Sequence, residues 1–258
     1  MKRFVFILVM TVIFVGCRRN QMVSDPTLSA TLYVQTAAEY QALCFQAYNI
    51  ARLRLDQTLD TVVSCGENHR YAVVVDIDET ILDNSPWQAK TIIEHNAWPA
   101  YWKEWVDCAE ALPVPGALSF LNYASERGVA VFYVSNREVA DIPSTMRNLE
   151  ALGFPNVQES FMLFKSSGDG KEARRARIED RYEILLLCGD NLGDFDAIFD
   201  SGTSEYRSLA VNANRDMFGD KWIVLPNPYY GTWLNVLSEP SLPPRDMVRC
   251  WESALKGF

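Results

Sequence analysis

Histidine is nearly missing from this chain: 258 residues hold only His69 and His95. The two offer no paired haem-ligand pattern. Cysteine offers little more. Apart from Cys17, treated below, the chain has Cys44, Cys65, Cys108, Cys188 and Cys250. The number is odd and no spacing resembles a metal knuckle, so no obligatory disulfide framework is expected. Cys188 ends a predicted buried strand and is expected to be a packed free thiol. Positive charge is short as well: 24 Lys and Arg against 33 Asp and Glu give a formal net charge of −9. That balance argues against a partner made of nucleic-acid backbone. The chain shows no internal repeat and no low-complexity run.

Long apolar runs are also absent; the one at the amino terminus, Phe4 to Phe14, is too short to span a bilayer comfortably. It follows Lys2 and Arg3 and leads into Phe14-Val15-Gly16-Cys17. A charged start, a short apolar segment and a small residue before cysteine form a pattern similar to a bacterial lipoprotein signal. Residues 1–17 are therefore expected to be a signal peptide with Cys17 as the lipidated residue. The competing readings are an ordinary signal cut nearby and a weak membrane anchor. Loss of Lys2 and Arg3 would move the net charge from −9 to −11. A diacyl anchor holds a protein stably because each buried CH2 is worth about 0.8 kcal/mol. The expected location is the bacterial cell envelope, at the outer membrane. Residues 18–30 show no periodicity and read as a tether; 31–258 read as one domain, ample for one core.

From Thr36 the spacing turns helical, with Tyr40, Leu43, Cys44, Ala47, Ala51 and Leu55 recurring at three or four residues. Compact apolar runs at Tyr71–Val75, Val129–Val134, Phe161–Phe164, Ile184–Cys188, Leu209–Val211 and Trp222–Leu225 are strand candidates. A helix is expected to end at Gly128, another to follow the Asn136-Arg137 turn, and a third to cover Glu172 to Asp180. Strands alternating with helices predict an α/β fold, a doubly wound parallel sheet flanked by helices. An aromatic-rich insertion, about residues 84–112, holds Trp87, Trp98, Tyr101, Trp102 and Trp105.

Two acidic segments follow strand candidates: Asp76-Ile77-Asp78-Glu79-Thr80 and Gly189-Asp190-Asn191-Leu192-Gly193-Asp194. Open α/β sheets bind their ligands at the carboxyl ends of strands. Four aspartates converging there would repel one another, and a hard cation such as Mg2+ relieves that conflict while also holding phosphate oxygens. The pattern points to metal-assisted phosphoryl transfer. Asp76, at the strand end, is the natural nucleophile for an aspartyl-phosphate. Asp78, two residues on, can protonate the leaving alkoxide and then deprotonate water. Glu79 reads as a cap of the next turn and Thr80 as structural. After the next strand, Ser135 and Asn136 offer polar groups for phosphate near a helix start, or serve only as a cap. Lys171 can pair with phosphate and Asp76.

The ordered set Asp76, Ser135, Lys171 and Asp190 resembles the haloacid dehalogenase superfamily. The likeness is closer to its class C acid phosphatases, the lipoprotein 5'-nucleotidase family. It is carried by Asp-Ile-Asp-Glu-Thr-Ile-Leu-Asp-Asn-Ser at 76–85, Pro-Gly-Ala at 115–117, Phe-Tyr-Val-Ser-Asn-Arg at 132–137, Gly-Asp-Asn-Leu-Gly-Asp-Phe at 189–195 and Pro-Asn-Pro-Tyr-Tyr-Gly-Thr-Trp at 226–233. The resemblance implies an HAD-like fold with a small, mostly helical cap. It implies Asp76 as nucleophile and Mg2+ ligand, Asp78 as acid/base and carbonyl ligand, Asp190 as the second carboxylate ligand, and Asp194 behind the metal, orienting water or Lys171. Ser135, Asn136 and Lys171 would hold phosphate. Gly193 departs from the Asn that relatives carry. Trp102 and Tyr230 match positions that stack on the substrate's ring, a contact worth roughly 1–3 kcal/mol for a base; Trp105 and Trp233 are expected in the core.

The implied activity is Mg2+-dependent acid hydrolysis of phosphomonoesters: 5'-nucleoside monophosphates and related aromatic esters. One alternative is phosphate transfer from another small monoester to an acceptor; another is a surface lipoprotein that binds a nucleotide or haem on the same scaffold. Expected partners are the small ester and a membrane, with no nucleic-acid polymer. Whether the chain forms a homodimer is open.

Overall fold

The computed structural model of the chain describes residues 27–65, 70–166, 168–239 and 241–258, without the side chains of 62–65 and 244. Cys17, the signal segment and residues 18–26 of the tether lie outside the described residues. The chain opens with helices α1 (Leu28–Thr36) and α2 (Ala38–Cys65), then strands β1 (Tyr71–Val75) and β2 (Leu82–Asp83). The insertion supplies α3 (Ser85–Ile93) and α4 (Trp102–Cys108), closed by β3 (Leu112–Pro113), which pairs antiparallel with β2. Then come α5 (Ala117–Glu126), β4 (Ala130–Glu138), α6 (Ile142–Leu152), β5 (Met162–Lys165), α7 (Lys171–Glu179) and β6 (Glu183–Gly189). The last elements are α8 (Ser204–Ala213), β7 (Trp222–Val224), α9 (Thr232–Asn235) and α10 (Pro244–Ala254).

Five strands form one parallel sheet in the order β5-β4-β1-β6-β7. Both faces of β1 are covered, which is why its residues read as an unbroken apolar run. Its side chains alternate between two cores. Ala72 and Val74 pack with Phe132, Val134 and Ile178 of α7. Val73 and Val75 pack with Val131, Tyr133 and Leu186, and beyond them with Cys44, Ala51 and Leu55 of α2 and Phe120 and Leu121 of α5. Burying each such valine or leucine contributes about 1.5–3 kcal/mol, so the centre of the sheet is its best-anchored part. From β1 the chain builds outward on one side through β4 and β5, then returns to β1's other side for β6 and β7. The direction reverses between β1 and β6, and a crevice opens there at the carboxyl ends of the strands.

Three expectations are corrected. A helix, α1, begins at Leu28 inside the segment read as a tether, and the extended backbone of Ala37 separates it from α2, which starts two residues after the expected helix start at Thr36. Leu209–Val211 is no strand but lies within α8, where Thr203 caps the start by accepting from the Tyr206 N–H at 3.2 Å. Three apolar residues are too few to separate a strand from a helix face. Asn136-Arg137 is no turn either: β4 runs on to Glu138, its register with β5 slipping after Ser135, and α6 starts only at Ile142. The thiols of Cys44, Cys108, Cys188 and Cys250 are free, with Cys188 buried. Among the described residues no helix is long and apolar enough to cross a membrane.

Candidate active site

Asp76 is the first residue beyond β1, and its N–H donates to the Cys188 carbonyl of β6 at 3.0 Å. Asp190 is the first residue beyond β6. Neighbouring strands thus deliver one carboxylate each to the crevice. Asp194 comes from a short 3-10 turn, Leu192–Asp194, that folds back toward β6; Asn191 caps it, and the Asn191 N–H donates to Asp194 Oδ2 at 2.9 Å. A Cβ at position 189 would collide with the Asp194 carboxylate, so only glycine lets the turn close this tightly. One carboxylate oxygen from each of Asp76, Asp190 and Asp194 lies within 4.8 Å of the others.

A cation already meets two of them. Lys171, the first residue of α7, is buried, and its ammonium donates to Asp76 Oδ1 and, at 2.6 Å, to Asp194 Oδ1. Burial alone would pull its pKa down, but the Asp194 and Asp76 charges outweigh that and raise it. Burial pushes Asp76 up to about 7, against the opposing pull of Lys171. It also drives Asp190 well above the ordinary carboxylate range, with Asp194 and Asp76 adding to the rise. Asp190 is held by Thr80 Oγ1 at 3.2 Å and Asn227 Nδ2 at 2.7 Å. Two buried carboxylates and the half-buried one of Asp190, with one ammonium, leave negative charge uncompensated, and every donor is an oxygen. The residues present therefore fit a hard divalent cation.

Asp78 faces the same crevice from the turn after β1, with an unequal share of partners on its two oxygens. Oδ1 accepts from Asn84 Nδ2 at 2.8 Å and from Arg137 Nη2 at 2.7 Å and Nε at 3.1 Å; Oδ2 has only Arg137 Nε at 3.2 Å. Oδ2 is thus the oxygen with room for a proton. The cavity above these groups has a volume of about 440 Å3, and Asp76, Asp78, Asn136, Lys171, Asp190 and Tyr230 line it.

Residues 18–233 match the family model described as HAD superfamily, subfamily IIIB (acid phosphatase). The chain belongs to that family. It is similar to the class C acid phosphatase from Bacillus anthracis, with 35% identity over 91% of this chain and 98% of that one and a TM-score of 0.85. The structure of class C acid phosphatase from Bacillus anthracis with tungstate bound matches with 35% identity over 92% and 99% of the two chains, again with a TM-score of 0.85. The chain is a phosphomonoester hydrolase with an HAD-like α/β fold.

Within this acid phosphatase the structure rearranges some expected roles. Ser135 is fully buried, and its Oγ accepts from the Arg137 N–H at 3.1 Å. With β4 extended through it, neither it nor Asn136 stands at a helix start. Asn136 is exposed to the cavity, its Oδ1 accepting from Arg174 Nη2 at 2.8 Å, which leaves the amide N–H groups free to face an oxyanion. Trp102 is absent from the cavity lining; it packs with Trp87 and Trp98, ring centroids 5.3 and 5.2 Å away, with the Arg137 guanidinium 5.5 Å from its ring. Trp105 is partly buried and donates to Asn84 Oδ1 at 2.8 Å. Trp233, expected in the core, is 43% exposed because its indole N–H turns back to the Tyr230 carbonyl at 3.0 Å. Gly193, the departure from relatives, abuts the Asp200 carboxylate, where a Cβ would clash.

Sequence reading missed the arginines. Arg137 is buried and joins Asp78 to Thr145 Oγ1, the latter at 2.9 Å. Arg174, wholly buried, reaches the Ser135 carbonyl and Asn136. A signal existed: Lys171, Arg174, Arg175 and Ile178 recur at three and four residues, so they share the inward face of α7.

Proposed function

We propose that the enzyme hydrolyses 5'-nucleoside monophosphates and related aromatic monoesters with Mg2+, through an aspartyl-phosphate on Asp76. The observation that carries the reading is the pairing at the switch point: Asp76 with Lys171 on Oδ1, and Asp190 on the neighbouring strand. Since Lys171 occupies Oδ1, Asp76 Oδ2 is the atom free to attack phosphorus. The bond from Oδ2 to phosphorus forms as the ester P–O bond breaks, and the departing oxygen takes the proton of Asp78 Oδ2. The Asp78 carboxylate then removes a proton from water, which attacks phosphorus and frees Asp76 and inorganic phosphate. Arg137 and Asn84 keep Asp78 aimed during both steps. Asp76, Asp190 and the Asp78 carbonyl would hold Mg2+, whose chemistry is to neutralise charge on the transferring group. Lys171 and the amide of Asn136 meet the phosphoryl oxygens. The B. anthracis enzyme with tungstate, a tetrahedral oxyanion like phosphate, supports an oxyanion pocket here.

Tyr230 at the cavity wall supports a ring-bearing leaving group. The amino-terminal pattern through Cys17 supports export to the envelope and a lipid anchor, so that nucleosides are released outside the cytoplasm. Phosphate release by the full chain from AMP, nicotinamide mononucleotide, an aromatic test ester and a sugar phosphate, with and without Mg2+, tests the reading. Metal-dependent release that favours ring-bearing esters, falling by at least about 10^4 in Asp76→Asn, is expected. Equal rates on all esters would remove the nucleotide preference, and activity in Asp76→Asn would remove the covalent step. A rate rising toward acid pH is also expected of a member of an acid phosphatase family.

A further inference from the structure

Glu79 is an odd residue for its place. It is buried, and its backbone is left-handed, with φ 58°. A turn that needed only this conformation would be better served by glycine, because a Cβ there costs roughly 1–2 kcal/mol. The carboxylate is therefore the reason for glutamate. It has two partners: Oε1 accepts from the Asn84 N–H at 3.2 Å at the start of α3, and Oε2 accepts from the hydroxyl of Tyr230. The first explains the turn. The second reaches across 151 positions of sequence to a ring on the cavity wall.

The rest of Tyr230 is fixed with equal care. Its N–H donates to Asn227 Oδ1 at 3.4 Å, and the same Asn227 donates to Asp190. Its carbonyl accepts from Trp233 Nε1. The next residue, Gly231, has φ 142°, where a Cβ would press on Asn191 and Trp233 at 3.0 Å. Backbone and hydroxyl are thus tied to residues of the two acidic segments, while 38% of the tyrosine stays exposed. A ring held at both ends offers its face without first losing conformational freedom.

We infer that Glu79 is a positioning residue that locks the Tyr230 ring at the mouth of the phosphate cleft and so sets the preference for ring-bearing leaving groups. The inference rests on the nucleotide reading above and deepens it. It joins leaving-group recognition to the turn that carries Asp76 and Asp78, since Glu79 follows Asp78 directly.

AMP and ribose 5-phosphate form the test pair, alike but for the base. The readout is the ratio of their kcat/KM values with the full chain. In Tyr230→Phe and in Glu79→Ala that ratio should fall about five- to tenfold, as loss of one ordinary hydrogen bond implies. The double variant should fall no further, because both changes remove one contact. Glu79→Gln, which offers an oxygen to Asn84 and an amide to the tyrosine oxygen, should stay within about twofold of the parent. A purely structural Glu79 would lower both substrates together and leave the ratio alone, which overturns the inference. Tyr230→Phe decides the matter where Glu79→Ala does not fold: an unchanged ratio there also overturns it. A parental ratio near one removes the nucleotide reading and this inference together, whereas a high ratio that survives the substitutions removes only the positioning role.

Discussion

At the floor of the site Asp76 and Lys171 are more than nine-tenths buried, supplied by the ends of β1 and the start of α7. Beside the site the insertion makes a rim outside the cavity lining, where Trp98 is 63% exposed and the indoles of Trp87, Trp98 and Trp102 pack on one another. The floor is anchored by the sheet core on both faces, so its carboxylates stay close together despite their repulsion. That arrangement is poor for stability and good for chemistry, because charges held in a dry crevice need no reorganisation when phosphate enters. The rim has no such burden. Its rings give shape and area, and changes there should tune affinity and not the chemical step. Arg137 stands between the two regions, paired with Asp78 below and lying beside Trp102.

The contrast is sharpest at Lys171. Lys171→Met leaves Asp76 and Asp194 without their cation, and breaking a buried pair from one side costs about 3–5 kcal/mol. Urea unfolding should show a loss of that size, with phosphate release down about a thousandfold; a loss near zero would mean that the floor is not held by this pair.

The next largest effect is on pH dependence. Burial raises Asp76 to about 7 and Glu79 to about 8, and Asp190 well above its ordinary value. Groups raised in the fold bind protons more tightly there than in the unfolded chain. The contribution of Asp76 and Glu79 is therefore full below about pH 4 and is lost as pH rises through 7 to 8, and Asp190 acts in the same direction. The melting temperature of metal-free protein should fall by several degrees between pH 5 and pH 8, and added Mg2+ should raise it more at pH 8 than at pH 5. A melting temperature that climbs over that range would contradict the charge balance of the floor.

The smallest effect belongs to the rim. Trp98→Ala removes an edge contact to Trp87 and a tilted one to Trp102, each pair worth about 0.5–1.5 kcal/mol. Stability should drop by about 1 kcal/mol, with turnover of ribose 5-phosphate within about twofold of the parent. A hundredfold loss would make the rim part of the chemical machinery and collapse the comparison.

Much was legible in the linear chain, for a reason visible in particular residues. Tyr71–Val75 and Ile184–Cys188 are buried on both faces, so their runs of apolar side chains could mean little else, and the acidic segments that follow had to emerge at strand ends. Local pattern was enough for the α/β sheet and for carboxylates gathered at strand ends, and the motifs that hold Asp76, Asp78, Asp190 and Asp194 carried the resemblance to the family. It failed where tertiary packing decides between equal local options. Leu209–Val211 became a helix face, Trp233 turned outward for one hydrogen bond, and Ser135 was swallowed by a strand that ran on to Glu138.

The amino-acid order by itself thus determined the five strands of the main sheet, several of the helices between them and which carboxylates stand at strand ends, because these depend on side-chain period and on polar residues that stop an apolar run. Only the tertiary structure decided who meets whom: Arg137 on Asp78, Arg174 on Asn136, Glu79 on Tyr230. Those contacts join residues 59, 38 and 151 positions apart. A charge or hydroxyl finds its partner through the depth at which it is buried, and burial is a property of the folded whole.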